Sequence, residues 1–380
     1  MAPGLSPQAQ KQGYGVQRNL TIDGRFLTQA RTGVQRYARE IVAELDAQLQ
    51  NEPLRSSLSA RLVKPSGPAN PLELAVIDTQ TSGVPIGGAL WTQLVLPWLT
   101  RGVLLSLANV GPLTVAEQIL CIHDANICLT PETYSGFFRL YYKTVLPILA
   151  RRAAHVVTVS NFSARMLDEF GLCPFGKITV IPNGHEHVKR WRPERSAYAS
   201  PSSYRRPFVF VLGSQARHKN VKILFSIAKE LDDLGLDLLA AGGTYKHFSA
   251  IDGEKVPSNV RMLGFVSDDD LAALYQNAFC FAFPSLTEGF GLPALEALAF
   301  GCPVLASGCA SLPEVCGNAA LYADPNAPRA WLDQVRRLHA DPNLAATLRA
   351  EGPPRAKQFS WSKSAGLYLD LIRSTLRQTD

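Results

Sequence analysis

The chain has 380 residues, room for one large domain or, as the better expectation, two ordinary ones. Its 46% hydrophobic and 18% charged residues are those of a globular protein and exclude disorder as the main state. The formal charge of +6 suits an anionic ligand or a membrane surface, but Lys and Arg are scattered and form no nucleic-acid tract.

Residues 1–19 are polar, lack the apolar region of a signal peptide and read as a flexible tail. NLTIDGRFL (19–27) predicts a strand, TQARTG a loop, and VQRYAREIVAELDAQLQ (34–50) a strongly periodic helix. Further strands are expected at ELAVID (73–78) and QILCIHD (118–124). Between them, WTQLVLPWLTRGVLLSLANV is apolar but interrupted by Pro97 and Arg101, so no transmembrane helix is expected and the protein reads as cytoplasmic. YSGFFRLYYKTVLPILARRAA mixes aromatic and basic residues. It reads as a half-buried helix broken near Pro147, with a peripheral surface facing anionic lipid on the inner face of the membrane as the alternative.

HVVTVS (155–160) is a strand and SNFSARMLDEFG a helix, capped by Ser160 or Asn161 and ended by Gly171. KITVIPNG (177–184) is a strand closed by a Pro-Asn-Gly turn, and periodicity then disappears over 186–206, a linker. A second series starts with PFVFVLGS (207–214) and the predicted helix VKILFSIAKELDDLG. It continues through LDLLAAGG, VRMLGFV, CFAFPS, PVLASG and AALYAD, and the chain ends in an amphipathic helix (359–380). Short apolar strands alternating with helices in both halves predict an α/β protein with two doubly wound parallel sheets, over 20–185 and 207–358.

Several tempting signals carry nothing. GLCPFGKI has phosphate-loop spacing, but it ends in Ile178 and lies between a helix and a following strand, the reverse of the required order. The seven cysteines contain no CxxC and no companion histidine cluster, so they read as buried thiols rather than metal ligands. FPSLTEGFGLPALEALAFGCPV is more informative. CFAFPS is a buried-type strand, which puts TEGFG in the loop at its carboxyl end, and Pro293 and Gly301 bracket a helix near 292–300. The amides of Gly289, Phe290 and Gly291 suit a phosphate or oxyanion there. Glu288 and Glu296 flank that anion site with seven residues between them, and a carboxylate accepts two hydrogen bonds from a sugar diol. A ligand with sugar hydroxyls at both ends and phosphates between them is a nucleotide sugar.

On these residues, FPSLTEGFGLPALEALAFGCPVLASGCASLPEVCGNAALYADP resembles the signature of the retaining family 4 glycosyltransferases of the GT-B fold. The resemblance implies two Rossmann-like domains facing across a cleft, with the C-terminal helix crossing back onto the first. It assigns Glu288 to the donor sugar, Glu296 to the ribose, and the backbone from Gly289 through Leu292 to sugar and phosphates, with Val266 counted among the donor contacts. In GSQARHKN, Lys219 matches the family lysine that neutralises the diphosphate. The preceding family arginine is replaced by His218, so Arg217 is expected to reach in from one place earlier.

ARTGVQRYARE resembles the family loop in which Gly33 lets backbone approach the donor phosphate, and CIHDANICLTPE resembles the family's acceptor-domain histidine, His123. Asp124 is an acceptor-side candidate. Catalytic roles are thus expected for Glu288, His123, Lys219 and Arg217. The activity implied is retaining transfer of a hexose from a nucleotide-diphosphate sugar, GDP-mannose first, to a lipid-linked oligosaccharide in exopolysaccharide or O-antigen synthesis. No cofactor and no obligatory metal are implied. UDP-glucose or dTDP-rhamnose as donor stays open. So do a nucleotide-sugar epimerase or hydrolase, a non-catalytic nucleotide-binding protein, and a glycogen synthase-like or sucrose synthase-like enzyme.

Overall fold

The computed structural model describes residues 18–51, 58–214, 216–243, 250–251, 254–255 and 257–378, so nearly all of the predicted tail lies outside the described residues. Among them, the first sheet has seven parallel strands: β1 (Arg18–Asp23), β2 (Leu58–Lys64), β3 (Asp78–Thr81), β4 (Val103–Ser106), β5 (Gln118–Cys121), β6 (His155–Thr158) and β7 (Ile178–Val180). Their order is β3-β2-β1-β4-β5-β6-β7. The second sheet holds β8 (Phe208–Leu212), β9 (Asp237–Ala241), β12 (Val260–Gly264), β13 (Cys280–Phe283), β14 (Val304–Ser307) and β15 (Ala320–Ala323), in the order β12-β9-β8-β13-β14-β15. A small antiparallel pair, β10 (Ala250–Ile251) and β11 (Glu254–Lys255), stands apart.

The central strands are apolar on both faces because helices cover both faces of a parallel sheet. Val103, Leu104 and Leu105 of β4 are fully buried, as are Phe281 and Ala282 of β13. Strand order reverses between β1 and β4, where Ile22 pairs with Leu105, and between β8 and β13, where Phe210 pairs with Phe281. Ligands of open α/β sheets bind outside the carboxyl ends of strands at such reversals.

Three sequence expectations are corrected. ELAVID was expected as a strand, but the amides of Ala75, Val76 and Ile77 donate to the Asp46 carboxylate at 2.8–2.9 Å, and the strand starts only at Asp78. A side chain has taken the donors that a ladder would use. VKILFSIAKELDDLG is split into helices Lys222–Phe225 and Ala228–Asp233. The helix Gly136–Arg152 runs through Pro147 instead of breaking; it buries Leu146, Leu149 and Ala150 and leaves Leu140 and Ile148 exposed. The linker residues 186–206 form short 3-10 turns. They bury His187, Val188 and Trp191, and Arg192 N donates to Asp269.

The C-terminal helix, Trp361–Gln378, packs on the helix Gly33–Leu49 of the first half. Trp361, Ala365, Tyr368, Leu369, Ile372 and Leu376 form its buried stripe at helical spacing. The Tyr368 and Tyr37 hydroxyls are 2.9 Å apart, and Gln48 Nε2 donates to Ser362 O at 2.8 Å.

Candidate functional site

A cleft of about 840 Å³ opens between the two sheets at the carboxyl ends of their strands. Arg31 to Val34, Arg36, His123 and Asp124 line it from the first half; His218, Lys219, Val266, Glu288 to Pro293 and Glu296 line it from the second. That volume is typical of a small-ligand site.

The turn after β13 is built by two glycines. Gly291 has φ +96°, a left-handed conformation that opens the helix Leu292–Ala299, with Pro293 in its first turn. Gly289 sits where the halves touch: a Cβ there would lie 2.6 Å from His123 O and 3.1 Å from Asp124 Cβ. Its own carbonyl accepts from Ser160 Oγ at 2.6 Å and Ser163 Oγ at 3.0 Å. Thr287 Oγ1 donates to Asn126 Oδ1 at 3.0 Å. Further out, Glu314 accepts from the amides of Asn161 and Phe162, capping the helix Asn161–Glu169 from across the cleft. Ser160 is the helix's own cap and accepts from Ser163 N.

Glu288 and Lys219 form an ion pair, Nζ to Oε1 2.7 Å, both partly buried. His123 is buried in the first-half wall of the same cleft. Its Nε2 lies 2.9 Å from Leu107 O; a carbonyl only accepts, so Nε2 carries the proton and Nδ1 keeps its lone pair. Burial lowers its pKa to about 4, so the ring is neutral in ordinary buffers. Tyr37 packs edge-on against it at 4.8 Å, and Asn109, at φ +64°, accepts its backbone N–H. Asp124 accepts from Asn126 N, and burial pushes its carboxyl upward.

Glu296 is almost fully buried. Its Oε1 accepts from His187 Nε2 at 2.9 Å, and Arg36 Nε lies 3.8 Å away. Arg36 also forks onto Asp268 at 2.6 and 3.1 Å and stacks over Trp191. Burial alone would lower the Arg36 pKa, but Glu296 and Asp268 outweigh it and raise it.

The structure thus gathers Gly33, His123, Asp124, Lys219, Val266, Glu288 to Leu292 and Glu296 around one cleft. A Cβ on Gly33 would meet only open space. Arg217 is different and corrects the expectation: its side chain is 77% exposed, lies 3.9 Å from Glu132 and does not line the cleft. The 3-10 turn Arg217–Lys219 sends successive side chains about 120° apart, so Lys219 and His218 face the cleft while Arg217 turns out. Sequence reasoning missed Arg36, Asp268 and His187, whose partners are remote in sequence. It also read Asn183 of Pro-Asn-Gly only as a turn residue, yet Asn183 lines the cleft with a buried Oδ1 that has no hydrogen-bond partner among the described residues.

A family model described as glycosyl transferases group 1 matches residues 196–355, and one described as glycosyltransferase family 4 matches 119–189, together more than half of the chain. Over 102 residues the chain is 47% identical to O-antigen chain mannosyltransferase B of Escherichia coli, covering 27% of each protein. Over 231 residues it is 26% identical to O-antigen chain mannosyltransferase RfbU of Salmonella typhimurium, covering 60% of this chain and 62% of that one. The chain therefore spans less than two thirds of these relatives' lengths.

Sucrose-phosphate synthase of Thermosynechococcus elongatus superposes with TM-score 0.74 at 19% identity, over 95% of this chain and all of that one. Anabaena HepE in complex with UDP and glucose gives 0.66 at 16%, over 94% and 100%. These likenesses extend to the fold. One family model spans the whole second sheet and the other the last strands of the first; with the two facing parallel sheets, the chain belongs to the family 4 glycosyltransferases of the GT-B fold.

Proposed function

We propose that the protein transfers a hexose from a nucleotide-diphosphate sugar, GDP-mannose foremost, to an acceptor hydroxyl with retention of configuration. The observation that carries this reading is the Lys219–Glu288 pair at the glycine turn, with Glu296 about two helical turns further on and His123 opposite. Mannose, and an acceptor that belongs to a growing O-antigen-type chain, are supported by the relatives named O-antigen chain mannosyltransferases; that this acceptor is a lipid-linked oligosaccharide is part of the proposal. Peripheral contact with an anionic leaflet belongs to the reading; Leu90, Leu94 and Trp98, spaced by four and strongly exposed, support it.

In this reading Glu296 holds the ribose diol and Lys219 the diphosphate, beside the helix N-terminus. Glu288 and the neutral His123 hold hydroxyls of the transferred sugar. The bond from the anomeric carbon to the β-phosphate oxygen breaks, and its electron pair stays on the departing diphosphate. The acceptor oxygen bonds the anomeric carbon on the same face, and its proton passes to that phosphate. Lys219 acts by stabilising the charge that develops. No metal enters this scheme.

A thermal-shift panel of GDP, UDP, dTDP and their sugars tests the donor, because a ligand of the native state raises Tm. GDP and GDP-mannose are expected to raise it; a shift with UDP or dTDP alone overturns the donor assignment. Release of free mannose at the same rate with and without acceptor would overturn transfer.

A further inference from the structure

We propose that His187 is a positioning residue that aims the Glu296 carboxylate at the nucleotide ribose, and that Trp361 sets the tautomer in which it does so. The inference rests on the reading of Glu296 as the ribose-binding acid. The three side chains come from three separate parts of the chain: the turns after the first sheet, the C-terminal helix and the helix Leu292–Ala299.

The chemistry follows from what each atom can do. Trp361 Nε1 lies 3.0 Å from His187 Nδ1, and an indole nitrogen only donates. Nδ1 is therefore the acceptor, and the single ring proton sits on Nε2. That proton points at Glu296 Oε1, 2.9 Å away. The imidazole is fully buried, with Trp191 against it at 5.4 Å and Trp361 at 5.9 Å, so its ring cannot turn over without breaking packing.

A free glutamate rotates about three bonds, and fixing it only when ligand arrives costs affinity. Here one oxygen is anchored in advance by a donor whose own orientation is fixed from behind. Trp361 N also donates to Glu186 Oε2 at 2.9 Å, which ties the start of the C-terminal helix to the same turn. The last helix of the chain, packed on the first half, thereby reaches the donor site of the second half.

The test compares affinities for GDP and 2′,3′-dideoxy-GDP by titration calorimetry, with UDP and its dideoxy form if the panel selects uracil. The ratio of the two reports the ribose contacts, and the dideoxy affinity reports the integrity of the rest of the site. His187→Phe keeps the ring's bulk but neither polar atom, and is expected to shrink the ratio roughly tenfold, the scale of one hydrogen bond to a charged group. Trp361→Phe removes the donor behind the ring and is expected to shrink it as well. His187→Gln, which can donate to Glu296 and accept from Trp361, is expected to restore it.

A wild-type ratio in His187→Phe overturns the proposal, as does a parallel loss of both affinities, which marks a purely structural histidine. A wild-type ratio in Trp361→Phe removes Trp361 from the relay. If His187→Phe does not fold, Trp361→Phe and His187→Gln carry the test. Glu296→Gln is the separate control: if it leaves the ratio unchanged, the ribose reading of Glu296 itself falls.

Discussion

Lys219 Nζ stands 2.7 Å from Glu288 Oε1, so the group expected at the diphosphate and the group expected at the sugar hold one another. Lys219→Ala is expected to lower kcat by about 10²–10³, the roughly 3–4 kcal/mol lost with a single donor to developing charge. Initial rates at saturating donor measure it, and wild-type turnover would remove Lys219 from catalysis. Because the two side chains are in contact, Lys219→Ala with Glu288→Gln should cost less stability than the sum of the single variants.

Gly289→Ala tests closure of the cleft. The new Cβ would lie 2.6 Å from His123 O, so the two halves must separate and loosen the Ser160 and Ser163 bonds to the Gly289 carbonyl. A displacement of about 1 Å between reacting groups costs on the order of 10²-fold in rate. The expected outcome is that loss in kcat/KM together with a larger radius of gyration by small-angle scattering. An unchanged radius with full activity would show that the closed contact is dispensable.

The buried His123 makes stability depend on pH. Its folded pKa, about 4, lies below its ordinary value of 6.5, so between these values the unfolded chain binds the extra proton. The contribution is fully present above about pH 6.5, is lost as pH falls towards 4, and amounts to about 3 kcal/mol. Asp124, whose carboxyl is raised by burial, works in the opposite sense. The quantity to read is therefore the difference in unfolding free energy between the wild type and His123→Gln, which should narrow from pH 7 to pH 4.

The C-terminal helix is held mainly by its apolar stripe. Ile372 is fully buried against the first half, so Ile372→Ala removes buried methylenes and leaves a cavity. A loss of about 2–4 kcal/mol is expected, read from the urea midpoint at constant slope. A loss under about 0.5 kcal/mol would be that of an exposed position and would contradict the packing.

Much of the architecture was legible locally. The helix predicted at 34–50 runs from Gly33 to Leu49, and the strand–glycine turn–helix at 280–300 appears as β13, Gly291 and Leu292–Ala299. These elements depend on neighbours in sequence: apolar runs, a left-handed glycine, a proline in the first turn. Failures came where a distant side chain intervened. Asp46 took the amides that would have made 75–77 a strand, and β2 and β4 went unpredicted because their apolar runs are short.

By itself, the sequence determined the chemistry available: two carboxylates with seven residues between them around a glycine turn, a lysine after the first strand of the second sheet, a histidine at a strand end. Tertiary structure decided which of those groups meet. It turned Arg217 outward and His218 inward, set Arg36 between Glu296 and Asp268, and placed His187 against Glu296, 109 residues away along the chain. The physical reason is range. Periodicity and turn chemistry act over a few residues, whereas an ion pair or a relayed hydrogen bond exists only after two sheets and a returning helix have brought its partners within about 3 Å.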